Sequence, residues 1–403
     1  MNPDLDKLQP YPFEKLKALL GKVTPAKNLK HIPLSIGEPK HAAPQLVIDS
    51  LIGSLEKLSN YPSTKGIPEL RTTIADWANK RFSLCTSTEV NGLDPETQII
   101  PVNGTREGLF SFTQAIIDRT KPALVISPNP FYQIYEGAAY LAGAELELLP
   151  CLEDNNFMPD YSSVKQETWK ACQILFLCSP GNPTGAVTTL ETLKTLIQLA
   201  DKHDFIIASD ECYSEVYCDE DTPPVGLLEA CAALNRHDYN RCVVFHSLSK
   251  RSNLPGLRSG FVAGDKEVLA QYLKYRTYHG CAMPTQHQIA SISAWSDEAH
   301  VIENRTLYRD KFKQVLEILS PVLDIEQTDA SFYLWPKTDI SDELFAQKLF
   351  EEQHVTVLPG SYLSRTINGT NPGGNRVRMA LVASVEDCVE AAKRIKIFVE
   401  GLK

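Results

Sequence analysis

The sequence predicts an α/β protein: a large domain with a mostly parallel sheet flanked by helices, and a smaller α+β domain at the C-terminal end. Three observations predict it. At 403 residues the chain exceeds what one hydrophobic core usually organises. From about residue 97 short apolar runs recur (QIIPVNG, ALVISPNP, ILFLCSPGNP, FIIASDE, CVVFHSLSK and SGFVAG), each cut off by Ser, Pro, Gly or Asp, as strands buried on both faces would be. Helix-like stretches separate them, which is the strand-helix-strand grammar of a parallel sheet, and beyond residue 300 the pattern changes.

Taken in order, residues 1–45 carry Pro10, Pro12 and Pro25 and read as an arm that packs on the small domain or on a neighbouring subunit. Residues 46–283 form the large domain. Within it, Thr188 with Glu191 three positions on reads as a capping box, and Leu190, Leu193, Ile197 and Ala200 make one apolar stripe ending near His203. Residues 284–403 form the small domain: a long amphipathic helix over 301–323, strands at SFYLWP, HVTVLPG and RVRMALV, and a last helix from about Val385. No repeat or low-complexity tract interrupts this plan.

Composition narrows the function classes. With 40 basic against 50 acidic residues the net charge is −10, which argues against nucleic acid as a partner. The ten cysteines contain no CxxC pair and the nine histidines no HExxH, so buried free thiols in a reducing cytosol are expected, with no metal site. The first residues lack a basic stretch leading into an apolar one, and no run approaches a membrane span, so a cytoplasmic protein is expected.

The polar clusters follow the apolar runs, so the chemistry falls on the rim beyond the carboxyl ends of the strands. Lys250 arrives there after CVVFH, in SLSK, with Arg258 close behind. Partial burial and a nearby arginine both favour a neutral amine, which can attack a carbonyl. SLSK also matches SxxK of the penicillin-recognising enzymes, but neither SDN nor KTG occurs. GxSxG, GxGxxG and the Walker loop are missing too. Asp210 ends FIIASDECY with Tyr213 three positions on, and Asn182 sits in SPGNPTG. Gly104, Thr105 and Arg106 turn into the helix-like GLFSFTQAI, and such a helix start, with free amides and the dipole's positive end, suits a phosphate. A buried carboxylate, an amine, an arginine and a phosphate-ready helix start together match the needs of pyridoxal phosphate.

SPGNPTG, the Asp210 and Tyr213 pair, and SLSK followed by GLRSG resemble the signature set of the class I and II aminotransferases, members of the fold type I pyridoxal 5′-phosphate enzymes. Asn182 and Asp210 lie 28 residues apart, Lys250 and Arg258 lie 8 apart, and the likeness runs from IGEPKH to VRMAL. It implies that Lys250 forms the internal aldimine and shuttles the substrate proton, and that Asp210 pairs with the ring nitrogen. It implies that Tyr213 and Asn182 meet the ring hydroxyl. The amides of Thr105 and Arg106, with Ser247 and Arg258, would hold the phosphate. Tyr132 resembles the ring-stacking aromatic, with core packing as its plainer role. Tyr61 resembles the tyrosine that reaches the phosphate of the neighbouring subunit, which implies a homodimer with shared sites. Arg378 resembles the arginine that grips the substrate α-carboxylate and Gly37 the backbone closing over it; Arg376, two residues away, is the competitor that register disfavours.

GTNPGGNRVRMALV, GTREGLF and SPNPFYQIYEGAA are similar to the succinyldiaminopimelate aminotransferases of the bacterial lysine pathway. That implies exchange between N-succinyl-LL-2,6-diaminopimelate with 2-oxoglutarate and L-2-succinylamino-6-oxopimelate with L-glutamate. The alternatives on the same scaffold are a general aspartate, alanine or aromatic aminotransferase, or a β-eliminating lyase. A cofactor-sensing regulator would need a basic DNA-binding extension, whereas the likeness begins by residue 36.

Overall fold

A computed structural model describes residues 1–85 and 92–402. Its strands in chain order are β1 (Ile32–Pro33), β2 (Ile99–Val102), β3 (Leu124–Asn129), β4 (Glu145–Pro150), β5 (Cys172–Cys178), β6 (Ile206–Asp210), β7 (Cys242–Ser247), β8 (Gly260–Gly264), β9 (Tyr333–Leu334), β10 (Val355–Thr356), β11 (Leu358–Pro359) and β12 (Val377–Ala380). Seven of them form the large sheet in the order β2-β8-β7-β6-β5-β3-β4. Strands β4, β3, β5, β6 and β7 run parallel, while β8 is antiparallel to both β7 and β2. Two reversals leave β2 pointing the same way as β7. The carboxyl ends of β2, β3, β5, β6 and β7 therefore share one rim with the start of β8.

The apolar runs are continuous because both faces of the sheet are covered. Along β5, Leu175 and Leu177 point into one core with Ile207, Val244 and Phe261, while Ile174 and Phe176 point into the other with Ala208, Val243 and Phe245. Helices Pro68–Arg81, Leu190–His203 and Thr285–Ser296 cover the first face, and Thr105–Ile116, Ile134–Leu141 and Lys266–His279 the second. The Leu190–His203 helix buries Leu193, Leu196, Ile197 and Ala200 and ends at His203 as its periodicity predicts. Its cap differs by one residue from the expected Thr188. Thr189 is the N-cap, its side chain accepting from the Thr192 amide at 3.2 Å. The Thr188 amide is instead committed to Ser179 Oγ at 2.9 Å, and Glu191 pairs with Lys194 at the surface rather than closing a box.

The smaller unit has a three-stranded antiparallel sheet, β11-β12-β9, and the parallel pair β1 with β10. Val355, Leu358, Val377 and Met379 pack against Phe312 and Val315 of Ala299–Leu319, Phe345 and Leu349 of Asp342–Gln353, and Ile395 and Phe398 of Val385–Gly401. The N-terminal arm is built into this core, since helix Pro12–Leu20 contributes Leu16 and Leu19 and β1 supplies a strand. Helix Thr285–Ser296 still contributes Ala290, Ala294 and Trp295 to the large-sheet core, so the change of core falls within Ala299–Leu319. All ten cysteines are unpaired, with Cys151, Cys172, Cys231, Cys242 and Cys388 buried. No helix among the described residues is long and apolar enough to cross a membrane.

Candidate active site

The shared rim gathers the polar residues into one cavity of about 580 Å³, closed on its far side by the smaller unit. Gly37, Thr105, Arg106, Tyr132, Asn182, Asp210, Tyr213, Ser247, Lys250, Arg258 and Arg378 all line it, whereas Tyr61 is fully exposed elsewhere on the surface. Asp210 ends β6, Ser247 ends β7, Asn182 follows β5, Tyr132 follows β3, and Thr105 with Arg106 follow β2. Arg258 lies just before β8 with a left-handed backbone (φ 54°), a conformation costly for a side chain of that size. Such strain belongs to positions that the surrounding fold over-determines, and here it sits on the rim.

Lys250 lies in the short helix Leu248–Arg251 that opens directly from β7, so the strand fixes its approach. Its Nζ donates to the Gly37 carbonyl at 2.5 Å and lies 5.3 Å from the centre of the Phe332 ring. Burial pulls the ammonium down to about 8, with Arg378 and Arg106 adding repulsion against opposition from Cys212 and Glu38. Roughly a tenth of the amine is then neutral at pH 7, against well under a thousandth for a free lysine. Capture of an aldehyde, such as the pyridoxal phosphate expected from the sequence, would need that neutral amine. Its rate is expected to rise about tenfold per pH unit up to about 8 and to level off above, which stopped-flow absorbance measures.

Asp210 is buried and accepts from the Tyr135 hydroxyl at 2.7 Å and from the Cys212 amide at 3.2 Å. Burial nevertheless raises its pKa, so the carboxylate lacks enough positive charge nearby. Tyr213 shares a hydrogen bond with Tyr333 at 2.8 Å, and burial followed by that neighbour pushes its phenol well above the ordinary value. Arg378 donates to Asn182 Oδ1 at 2.9 Å and to the Ser35 carbonyl at 2.7 Å, and its buried Nε has no partner among the described residues. Arg376 points away, to the Trp335 carbonyl and to Glu153, and does not line the cavity, whereas Arg378 does.

The Thr105–Ile116 helix starts at Gly104 with φ 81°, where a Cβ would come within 2.2 Å of the Arg258 guanidinium. Glycine thus lets that guanidinium lie over the helix start. Arg258 donates to the Asn103 and Pro255 carbonyls, and Ser247 Oγ caps the next short helix by accepting from the Ser249 amide at 3.1 Å. Two helix starts and an arginine therefore converge on one end of the cavity, an anion site in design. At Gly37 a Cβ would meet the Tyr333 hydroxyl at 1.9 Å. Gly37→Ala is expected to lower kcat/KM about 100-fold, because it displaces both Tyr333 and the backbone that accepts from Lys250; steady-state kinetics read the loss.

Sequence reasoning missed Tyr135, Cys212, Tyr333, Glu38 and Tyr11. Tyr135 had a signal, lying one helical turn after Tyr132 on the same rim. Cys212 and Glu38 are neighbours of Asp210 and Gly37 in the chain, whereas Tyr333 and Tyr11 come from distant segments: Tyr11, Pro12 and Phe13 of the arm line the cavity, and Tyr11 accepts from Arg106 at 3.2 Å.

A depressed lysine, a carboxylate short of positive charge and an anion site on the rim of a mixed α/β sheet define an enzyme that carries a phosphorylated aldehyde cofactor. The aminotransferase class I and II family matches residues 30–395, and the chain belongs to that family, within the fold type I pyridoxal 5′-phosphate enzymes. Among solved structures it is similar to an aminotransferase from Neisseria meningitidis (TM-score 0.93, 47% identity, 99% of this chain and 100% of that one). It is also similar to the aminotransferase AspB from Helicobacter pylori (TM-score 0.88, 36% identity, 98% and 99%). Curated relatives include the LL-diaminopimelate aminotransferase of Maridesulfovibrio salexigens, 32% identical over 96% of both chains, and that of Aquifex aeolicus, 33% identical over 91% and 90%.

Pyridoxal 5′-phosphate is the cofactor of this family, and the residues present fit it. Asp210 suits a protonated ring nitrogen, the cradle at Gly104 and Arg258 suits the phosphate, and the lysine suits the aldehyde. As an aminotransferase the protein acts on amino acid and 2-oxo acid substrates.

Proposed function

We propose that this enzyme moves the amino group of N-succinyl-LL-2,6-diaminopimelate to 2-oxoglutarate in the cytoplasm, as a step of lysine formation. The observation that carries the reading is the surplus of cationic groups in the cavity: once Arg258 is given to the phosphate, Arg378 and Arg106 remain beside Lys250 for anionic substrates. The GTNPGGNRVRMALV segment and the relatives that bear the diaminopimelate name support it. Those relatives carry the name of the unsuccinylated donor, so the panel below includes it. A general aspartate or aromatic aminotransferase is the second reading, favoured by the likeness to AspB.

In the reaction Arg378, which lines the cavity, binds the α-carboxylate through its guanidinium. When bound, pyridoxal phosphate would supply the aldehyde for the amino group and a ring to delocalise the electron pair left at Cα. Lys250 Nζ, which donates to the Gly37 carbonyl in the cofactor-free chain, would move the proton on and off the substrate Cα. Asp210, its two oxygens fixed by Tyr135 and the Cys212 amide, would hold a proton on the ring nitrogen. Tyr213, tied to Tyr333, stays protonated as a hydrogen-bond donor at neutral pH.

Half-reactions with succinyldiaminopimelate, LL-diaminopimelate, glutamate, aspartate, alanine and tyrosine test the reading, followed by loss of the holoenzyme's visible absorbance. The succinylated donor and glutamate are expected to react with the highest kcat/KM. Preference for aspartate or tyrosine removes the pathway assignment and leaves the reaction class.

The second half of the reading is a homodimer. Ile52, Leu55, Leu58 and Tyr61 are all exposed on helix Gln45–Ile52 and the turn after it, an apolar surface suited to a second copy. Tyr61→Phe is expected to weaken pyridoxal phosphate binding about tenfold, although Tyr61 is absent from its own chain's cavity. Equilibrium titration with the cofactor checks it; unchanged affinity would remove Tyr61 from the partner's site.

A further inference from the structure

We infer that His41 is a positioning residue for the reaction: gripped by Lys311 and Asn304, it fixes the 35–41 segment, whose carbonyls hold the Lys250 amine and the Arg378 guanidinium. The inference rests on the aminotransferase chemistry alone and needs no particular amino donor.

Asn304, Tyr308 and Lys311 recur at the spacing of one helical face in Ala299–Leu319, and all three are buried. Lysine is rarely buried without an acidic partner, yet no carboxylate among the described residues bonds to Lys311. Its Nζ lies 2.6 Å from His41 Nε2 instead, with the centre of the Tyr308 ring at 5.1 Å. Burial pulls the Lys311 ammonium down to about 8, against opposition from Cys388 and Glu386 of the last helix. His41 Nδ1 lies 2.7 Å from Asn304 Oδ1, and its ring packs on Tyr308 with centres 4.6 Å apart. Asn304 Oδ1 also accepts from Asn253 Nδ2 at 2.9 Å, while Asn304 Nδ2 faces the Lys250 and Arg251 carbonyls at 3.4 and 3.5 Å.

That pattern fixes the imidazole. Asn304 Oδ1 can only accept, so His41 Nδ1 carries the hydrogen and Nε2 is the acceptor for Lys311. Burial lowers the His41 pKa, the Asn304 bond opposes and the Lys311 charge adds to the fall, so the ring is neutral at pH 7. A neutral His41 holds both partners at once, whereas a charged one would set two donors against each other.

The segment is thereby anchored at both ends. At one, Leu34 exchanges main-chain hydrogen bonds with Thr356 and Ala380 of the smaller unit. At the other, His41 fastens it to the Ala299–Leu319 helix and, through Asn304, to the main chain of Lys250 itself. Between the anchors the Ser35 carbonyl accepts from Arg378 and the Gly37 carbonyl from Lys250, and Ile36, Gly37 and Glu38 line the cavity. Releasing the His41 end loosens the Gly37 contact and lets water reach the amine.

The experiment compares His41→Leu, His41→Gln and Lys311→Met with the wild-type enzyme. Two quantities are read: kcat/KM per bound pyridoxal phosphate for whichever donor of the panel the wild type uses best, and the pH at which capture of pyridoxal phosphate by the apoenzyme levels off. His41→Leu is expected to lower kcat/KM about 30-fold and to raise the levelling-off point from about 8 by about one unit, since burial is the main cause of the low Lys250 value. His41→Gln, whose amide can donate to Asn304 and accept from Lys311, is expected to stay within about threefold of wild type with the point unmoved. Lys311→Met is expected to lose about tenfold and to move the point the same way as leucine. It should do so without a lower unfolding temperature, because an ammonium with a lowered pKa costs stability at pH 7, and it decides the matter if His41→Leu does not fold. An unmoved levelling-off point in Lys311→Met, or a His41→Gln as impaired as His41→Leu, would overturn the inference.

Discussion

Lys250→Ala is expected to lower turnover by about 10⁵-fold or more, a loss of ~7 kcal/mol of transition-state stabilisation. The size follows from the double use proposed for one atom: Nζ would anchor the cofactor and then carry the substrate proton, and Tyr213 and Asp210 beside it are otherwise engaged. Tyr213 is held protonated, and Asp210 is committed to Tyr135 and to the Cys212 amide. The fold is expected to survive. In the apoenzyme the side chain makes one hydrogen bond, to Gly37, and its pKa is lowered from 10.5 to about 8. A lysine with a lowered folded pKa costs stability at every pH below that value, and the cost fades as pH rises toward 10.5. Removing it should therefore raise apoenzyme stability at pH 7 by on the order of 1 kcal/mol, after discounting for solvent in the open cavity. Thermal unfolding of the two apoenzymes reads the gain, and the gain should shrink above pH 9. A variant that still transaminates near the wild-type rate would remove Lys250 from the chemistry.

Asp210→Asn is expected to lower kcat about 1,000-fold, ~4 kcal/mol, with a much smaller effect on KM. Asparagine keeps the acceptor for the Tyr135 hydroxyl and fits the same space, so the change isolates charge from shape. The sign of the stability effect supplies an independent check. Burial raises the Asp210 pKa, so the folded apoenzyme holds that proton more tightly than the unfolded chain and loses stability as pH rises between 3.8 and the raised value. At pH 7 the carboxylate therefore destabilises the apoenzyme, and the asparagine variant should unfold at a higher temperature. With cofactor bound the order should reverse, because only the carboxylate gains the ring nitrogen's charge. A variant with unaltered kcat, or one less stable as apoenzyme, would contradict the assigned role.

Much of the site was legible because its chemistry is local in sequence. Each rim residue sits within a few positions of a strand's carboxyl end, so SPGNPTG, SLSK and the Asp210 to Tyr213 spacing carry both the residue and its location. That Arg378 rather than Arg376 faces the cavity was legible through the register of a short strand. The cap at Thr189 was read one residue early because the pattern that names a capping box cannot tell which threonine's neighbours are already bonded. What stayed hidden depends on contacts across the chain. Tyr213 meets Tyr333 at a separation of 120 residues, Arg106 meets Tyr11 at 95, and β1 pairs with a strand more than 300 residues on. Such pairings follow from how the smaller unit and the arm close over the sheet, which no local motif encodes.

The central claim is tested most directly by reducing the holoenzyme with borohydride and mapping the modified peptide by mass spectrometry. The expected result is a single pyridoxyl adduct on Lys250, with loss of the visible absorbance as it forms. A preparation supplied with pyridoxal phosphate that stays colourless, or an adduct on a different lysine, would contradict it.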